Sequence, residues 1–258
     1  MVESIYGNLY IDIASFKNFD KTTVLPLIEF IARGIDSCTY IPDVGKVLIK
    51  ASPWGHSGES ELVPLFGNGK RLHEIYIYIQ DVEQHFKLID WIDQFPHEYM
   101  HHVIDRRGML RRPPTLWFDE ALCNVSSITQ ALRIEQLLRT SPDKLPFPKD
   151  CLNMLFEIVR QLCKHGDTPV SQSIRSGNGI GGFLPVPLDS VSLAQYGASV
   201  ASCIYHLFVI NPNLWKMVQY IHQVPLDADI FALLDHLRET ADDSYRGSLE
   251  EMIKILFP

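Results

Sequence analysis

The chain has few of the features that mark a specialised class. Its five cysteines (Cys38, Cys123, Cys151, Cys163 and Cys203) are an odd number without a paired CxxC spacing. That pattern argues against a disulfide framework and against a cysteine-based zinc site. No Lys/Arg run is concentrated enough to read as a nucleic-acid patch; Arg106-Arg107 and Arg111-Arg112 come nearest, and the formal net charge is -8. Nucleic acid and anionic membrane both call for a basic surface, so neither is expected as a partner. The N-terminal residues from Met1 to Tyr6 carry no positive cluster followed by an apolar stretch, so they do not read as a secretory signal. A chain that begins after a removed targeting segment would look the same. The longest apolar run, Ala198 to Ile210, is interrupted by Ser199, Ser202 and His206. It reads as too short and too polar to span a bilayer. The expectation is a cytoplasmic protein with reduced thiols.

What is present is an ordinary globular composition, 46% hydrophobic and 21% charged over 258 residues. That length supports one substantial domain. Asn8 to Ile13 and Val44 to Ala51 read as strands, and Thr22 to Ile35 between them has apolar residues at helical spacing. Glu74 to Gln80 (EIYIYIQ) has the clearest period of two, after the turn-forming Gly67-Asn68-Gly69. From about Phe86 the pattern turns helical, over 86–105, 115–138, 150–164, 190–210, 212–222, 226–239 and 246–256. The Gly- and Pro-rich stretch 171–189 reads as a long loop, with Gly177 to Gly182 a candidate lid. No repeat or linker divides the chain. The expectation is one α+β domain over 1–258, with a sheet-bearing lobe to about 108 and a helical lobe after it.

One motif carries chemistry. His97-Glu98-Tyr99-Met100-His101 is an HExxH sequence, and residues four apart on a helix share a face. Both imidazoles can therefore reach one ion, at about 2.0–2.1 Å. Glu98, a third of a turn from His97, is placed to address a metal-bound water, whose pKa falls toward roughly 7. By chance alone the motif arises in roughly 2 of 100 chains of this composition, so a third ligand is needed. Glu120 supplies it. It lies in Trp117-Phe118-Asp119-Glu120, nineteen residues after His101, and a helix, a turn and a second helix fit that interval. Pro96 implies that the motif helix starts near Phe95 or is kinked there.

HExxH, eighteen residues, then Glu in a W-x-x-E context resembles the signature of the gluzincin metallopeptidases, in the spacing of aminopeptidase N and its relatives. The resemblance implies a zincin-like fold, with a mixed sheet and the active-site helix in the N-terminal lobe. It implies one Zn2+ held by His97, His101 and Glu120, with Glu98 as general base. It departs at Ala121, where the family has glycine. The family also places a tyrosine at the opening of a later helix to stabilise an oxyanion, with a second aromatic nine residues on. Tyr196 and Tyr205 match that pattern, although Ser199 replaces the usual glycine. The alternative for Tyr196 is packing between helices with its hydroxyl on a backbone carbonyl.

By the same resemblance the strand at 74–80 would be an edge strand that pairs with an extended substrate; the alternative is an interior strand. Asp93 and Asp105 could orient the histidines, although a solvated helix residue is the plainer reading of each. Asp119 could cap its helix or orient a ligand. His102 lies off the ligand face, Cys123 reads as a buried apolar residue, and the Asn124 sequon reads as chance. The family's G-x-M-E-N segment is absent, which favours an endopeptidase or oligopeptidase acting on peptide or protein substrates. The rival reading is a zincin fold that keeps its metal and serves as a non-catalytic binding or regulatory module.

Overall fold

The computed structural model describes residues 1–39, 46–53, 58–59, 63–64, 71–79, 84–104, 115–141, 167–184, 186, 190–225 and 227–258. The expected helix at 150–164, Gln80, the Gly67–Gly69 turn and Asp105 lie outside them. Strand alternation generates the sheet. Leu9 and Ile11, Val47 and Ile49, and Ile75 and Ile77 are all buried, while Tyr10, Leu48 and Tyr76 between them are half-buried. Period two thus puts these six aliphatic side chains on one face of the sheet. The strands are β1 (Val2–Tyr6), β2 (Leu9–Asp12), β3 (Lys46–Ala51), β4 (Gly58–Glu59), β5 (Val63–Pro64) and β6 (Arg71–Ile77). Their order is β1-β2-β3-β6-β4, with β5 also on β6. The β2–β3 and β3–β6 pairs are parallel and the others antiparallel, so the sheet is mixed. The chain is an α+β protein.

Strand β1 carries no apolar alternation. It is a half-exposed edge with a register shift between Ser4 and Tyr6, which is why its sequence gives no strand signal. Strand β6 is interior, with β3 on one side and β4 and β5 on the other. The edge-strand reading of 74–80 is therefore corrected to the interior alternative. The two-residue strands that flank β6 are too short to leave a periodic trace in the sequence.

Helix α1 (Lys21–Thr39) joins β2 to β3. It buries Val24, Leu27, Ile28, Ile31 and Ile35, a run of three- and four-residue intervals. Each such side chain contributes about 1.5–3 kcal/mol on burial. Its start is fixed by Asp20, whose carboxylate accepts from the Thr22 amide at 3.1 Å and the Thr22 hydroxyl at 2.7 Å. Helix α2 (Gln84–Ile104) runs through Pro96 without ending, and begins well before Phe95. Helix α3 (Leu116–Thr140) is buried on almost every side over its first four turns.

The later helices are α4 (Pro169–Arg175), α5 (Ser190–Ile210), α6 (Val218–Ile221), α7 (Ile230–Thr240) and α8 (Arg246–Leu256). A 3-10 segment, Pro212–Met217, precedes α6. Contacts group the described elements into two compact units. One holds the sheet, α1 as far as Ser37, α2 and the end of α3 from Gln130; the other holds α3 as far as Thr129 and α4 to α8.

Helix α4 occupies the start of the stretch expected to be a loop. Its signal is a capping box rather than periodicity: the Thr168 hydroxyl accepts from the Ser171 amide, and the Ser171 hydroxyl accepts from the Thr168 amide. The glycines that follow do not behave as a lid. Ile180 is fully buried and its amide donates to the Leu256 carbonyl at 2.9 Å. Gly179 has φ +61, and a Cβ there would run into the backbone of Leu256. The window Ser192–Ile210 of α5 is long and apolar enough to cross a bilayer, but most of it is buried within the chain. Its apolarity is used in packing Val200, Ala201, Ile204, Leu207 and Phe208.

Thr168 also bonds the Ser199 hydroxyl of α5 at 2.7 Å, so one side chain both starts α4 and ties it to α5. Thr168→Ala should lower unfolding stability by about 1–2 kcal/mol in urea titration. A change within about 0.5 kcal/mol would show that the cap does not hold this helix.

Candidate metal centre

Helix α2 has two faces with different tasks. Trp91, Phe95 and Tyr99 follow one another at four-residue intervals and anchor it. Trp91 packs against Phe16 at 5.2 Å and Phe19 at 6.1 Å between ring centroids. Phe95 stacks on Tyr99 at 5.4 Å, and the Tyr99 hydroxyl donates to Asp36 of α1 at 3.0 Å. The Gln94 side chain accepts from the Tyr78 amide at 3.2 Å, just past β6. His97 and His101 stand two residues after Phe95 and Tyr99, roughly 200° round the helix. Anchoring the aromatic face therefore turns the imidazoles away from it.

The two imidazoles meet on that opposite face. Their rings lie 4.9 Å apart at 72°, with Nε2 to Nε2 at 3.2 Å. In a tetrahedral zinc site with Zn–N of about 2.0–2.1 Å, two nitrogen ligands stand roughly 3.3–3.4 Å apart. The observed separation matches the edge of such a tetrahedron. Glu120, on the second turn of α3, completes the set: one ligand atom from each of His97, His101 and Glu120 lies within 4.8 Å of the others. All three residues are half-buried. Among the described residues this is the group of metal-binding side chains that comes together. Two imidazoles and a carboxylate form a donor set that suits zinc and leaves room for a further ligand.

Around this set the other candidates sort by position. Glu98 is buried at 7% exposure beside His97. His102 is buried with its ring 6.0 Å from that of Tyr99 and does not belong to the cluster. Asp93 is half-buried one turn before His97, and Asp119 is buried in the first turn of α3. Cys123 is fully buried. Asn124, the sequon residue, donates to the Glu120 carbonyl at 2.8 Å, an ordinary bond along its own helix.

Tyr196 lies in the second turn of α5 rather than at its opening. It is buried, with its ring edge-on to Trp117 at 5.4 Å, one turn before Glu120. Its hydroxyl is buried and has no hydrogen-bond partner among the described residues. The backbone carbonyl that packing alone would require is not there among those residues. Burial holds the phenol well above its ordinary pKa, so it stays a neutral donor. Tyr205 is two and a half turns further on, edge-on to His206 at 6.2 Å.

Gly197 is the residue that reading the sequence overlooked. A Cβ there would stand 2.7 Å from the Glu120 Cβ and 3.1–3.2 Å from the backbone of Glu120 and Ala121. The available signal was a glycine inside an apolar helix, which is tolerated at about 1 kcal/mol against alanine and asks for a packing reason. Comparison of the chain with protein-family models, with curated proteins and with solved structures finds no match.

A hydroxyl buried without a partner loses about 1–3 kcal/mol of solvation. Tyr196→Phe should therefore leave unfolding stability unchanged or raise it by up to about that amount. A loss of 1 kcal/mol or more in denaturant titration would mean that the hydroxyl is bonded within the fold.

Proposed function

We propose that the chain is a zinc-dependent peptide-bond hydrolase of the gluzincin type with a zincin-like fold, acting as an endopeptidase or oligopeptidase. The observation that supports this reading is the convergence of His97, His101 and Glu120, three side chains that the HExxH and downstream Glu had singled out. His97 and His101 would hold the ion through an imidazole nitrogen each, and Glu120 through its carboxylate. When bound, zinc supplies a Lewis acid that polarises the scissile carbonyl and lowers the pKa of a water molecule to about 7.

The protein's own groups move the protons and receive the charge. Glu98 takes a proton from the attacking water as the C–O bond forms, then delivers it to the leaving nitrogen as the C–N bond breaks. Its burial supports that role, because a buried carboxylate is little screened by solvent. The Tyr196 hydroxyl donates a hydrogen bond to the carbonyl oxygen as negative charge develops on it. A buried donor without a partner among the described residues has no bond to them to give up at that moment. An unstructured or unfolded protein is the fitting substrate, since the scissile bond must reach a half-buried cluster.

Glu98→Gln should abolish hydrolysis of a denatured protein or a mixed peptide library while zinc stays bound, because the amide cannot take a proton. Tyr196→Phe should lower kcat about 10²–10³-fold with little change in KM. Turnover retained in Glu98→Gln would overturn the assignment of the base. Zinc bound at full occupancy with no hydrolysis across the library would instead support a metal-bearing binding or regulatory module.

A further inference from the structure

Gly197 does more than fill space between two helices. In α5 it sits beside Tyr196 and faces Glu120 of α3, and the contact a Cβ would make is with the Glu120 Cβ and the peptide joining Glu120 to Ala121. These are atoms that cannot swing aside, because they belong to the helix backbone or are fixed directly to it. The next residue back, Tyr196, rests edge-on against Trp117, one turn before Glu120. Two successive residues of α5 therefore touch α3 on either side of one turn, and that turn ends at Glu120. The approach is braced at its far end, where the buried Ser199 hydroxyl meets Thr168 at 2.7 Å and the Gln195 carbonyl at 2.6 Å.

From this geometry we infer that Gly197 is a positioning residue for the metal site: the missing side chain seats α5 on the backbone of Glu120 and so fixes the third ligand and the Tyr196 hydroxyl relative to one another. The inference rests on the proposed zinc site. It explains why the helix tolerates glycine at an interior position. A Cβ at 197 would push α5 away, or displace Glu120, by roughly the 0.8–1.3 Å that separates 2.7 Å from an ordinary carbon–carbon contact of about 3.5–4.0 Å. Metal ligation is sensitive to displacements of that size, and loss of a supporting contact commonly weakens it 10–100-fold.

The test compares Gly197→Ala with wild type by zinc competition against a chromophoric chelator and by the visible d–d spectrum of the Co2+-loaded protein. Gly247→Ala serves as control, because nothing lies within 4 Å of a Cβ at that position in α8. Gly197→Ala should bind zinc about 10–100-fold more weakly and show an altered cobalt spectrum, while Gly247→Ala matches wild type in both. Zinc affinity and cobalt spectrum unchanged in a folded Gly197→Ala protein would overturn the inference and leave the metal site standing. Wild type that takes up neither ion would overturn the inference and the proposed zinc site together.

A double-mutant cycle on the metal-free protein keeps the inference open to refutation if Gly197→Ala folds poorly. Glu120→Gly removes the atom that a Cβ at 197 meets first, so Gly197→Ala should be better tolerated in that background than in wild type. Recovery of folding or of the urea midpoint in the double variant supports the contact. An equal loss in both backgrounds would overturn it.

Discussion

The site depends on a helix held by one face so that the other can work. Helix α2 presents Trp91, Phe95 and Tyr99 along one stripe and His97 and His101 along the opposite one. The first stripe is fixed by aromatic contacts to Phe16 and Phe19 and by the Tyr99–Asp36 hydrogen bond. Without that anchoring, rotation of α2 by a small angle would swing both imidazoles together. Their 3.2 Å separation would survive, since it is internal to the helix, but their aim would not. Pro96 sits at the junction of the two tasks. It removes one backbone donor from the turn that carries His97, and the helix continues through it because flanking contacts hold both sides.

Glu120, the proposed third ligand, is positioned by a different kind of constraint. Helix α3 is buried on nearly all sides over its first four turns, so the setting of Glu120 is governed by how closely its neighbours approach. On α5 that approach is set by Tyr196 and Gly197, one with a ring against Trp117 and one with no side chain at all. A large buried ring and a missing Cβ in adjacent positions give a contact that is both close and directional. The same arrangement leaves the Tyr196 hydroxyl buried without a bond among the described residues, which reduces stability and suits a donor kept for a transient charge.

Much of this was legible in the sequence, and the illegible parts share a cause. Helices that bury one stripe announce themselves: 246–256 is found as Arg246–Leu256, and Thr22 to Ile35 lies within Lys21–Thr39. The strands with an aliphatic face were equally plain. Elements whose existence depends on partners were not. Strand β1 is an edge without alternation, and β4 and β5 are two residues each, so nothing in the sequence could reveal that β6 is interior. Helix α4 rests on a capping box around Thr168 and buries only Ser171 and Ile174, too little for a periodic signal. At the candidate site, helix geometry accounts for the pairing of His97 with His101, whereas Glu120 was singled out by its interval and by the resemblance, and the three come together in the structure. The contact of Gly197 with Glu120 joins residues 77 apart in sequence, and no local pattern encodes it.

The central claim is that one zinc ion is held by His97, His101 and Glu120. Elemental analysis of untagged protein, paired with zinc X-ray absorption spectroscopy and a Glu120→Ala variant, tests it most directly. The account predicts one zinc per chain, bound by nitrogen and oxygen at about 2.0–2.2 Å without sulfur, and lost or much weakened in Glu120→Ala. Absence of zinc after incubation at neutral pH, or a zinc site built on sulfur, would contradict it.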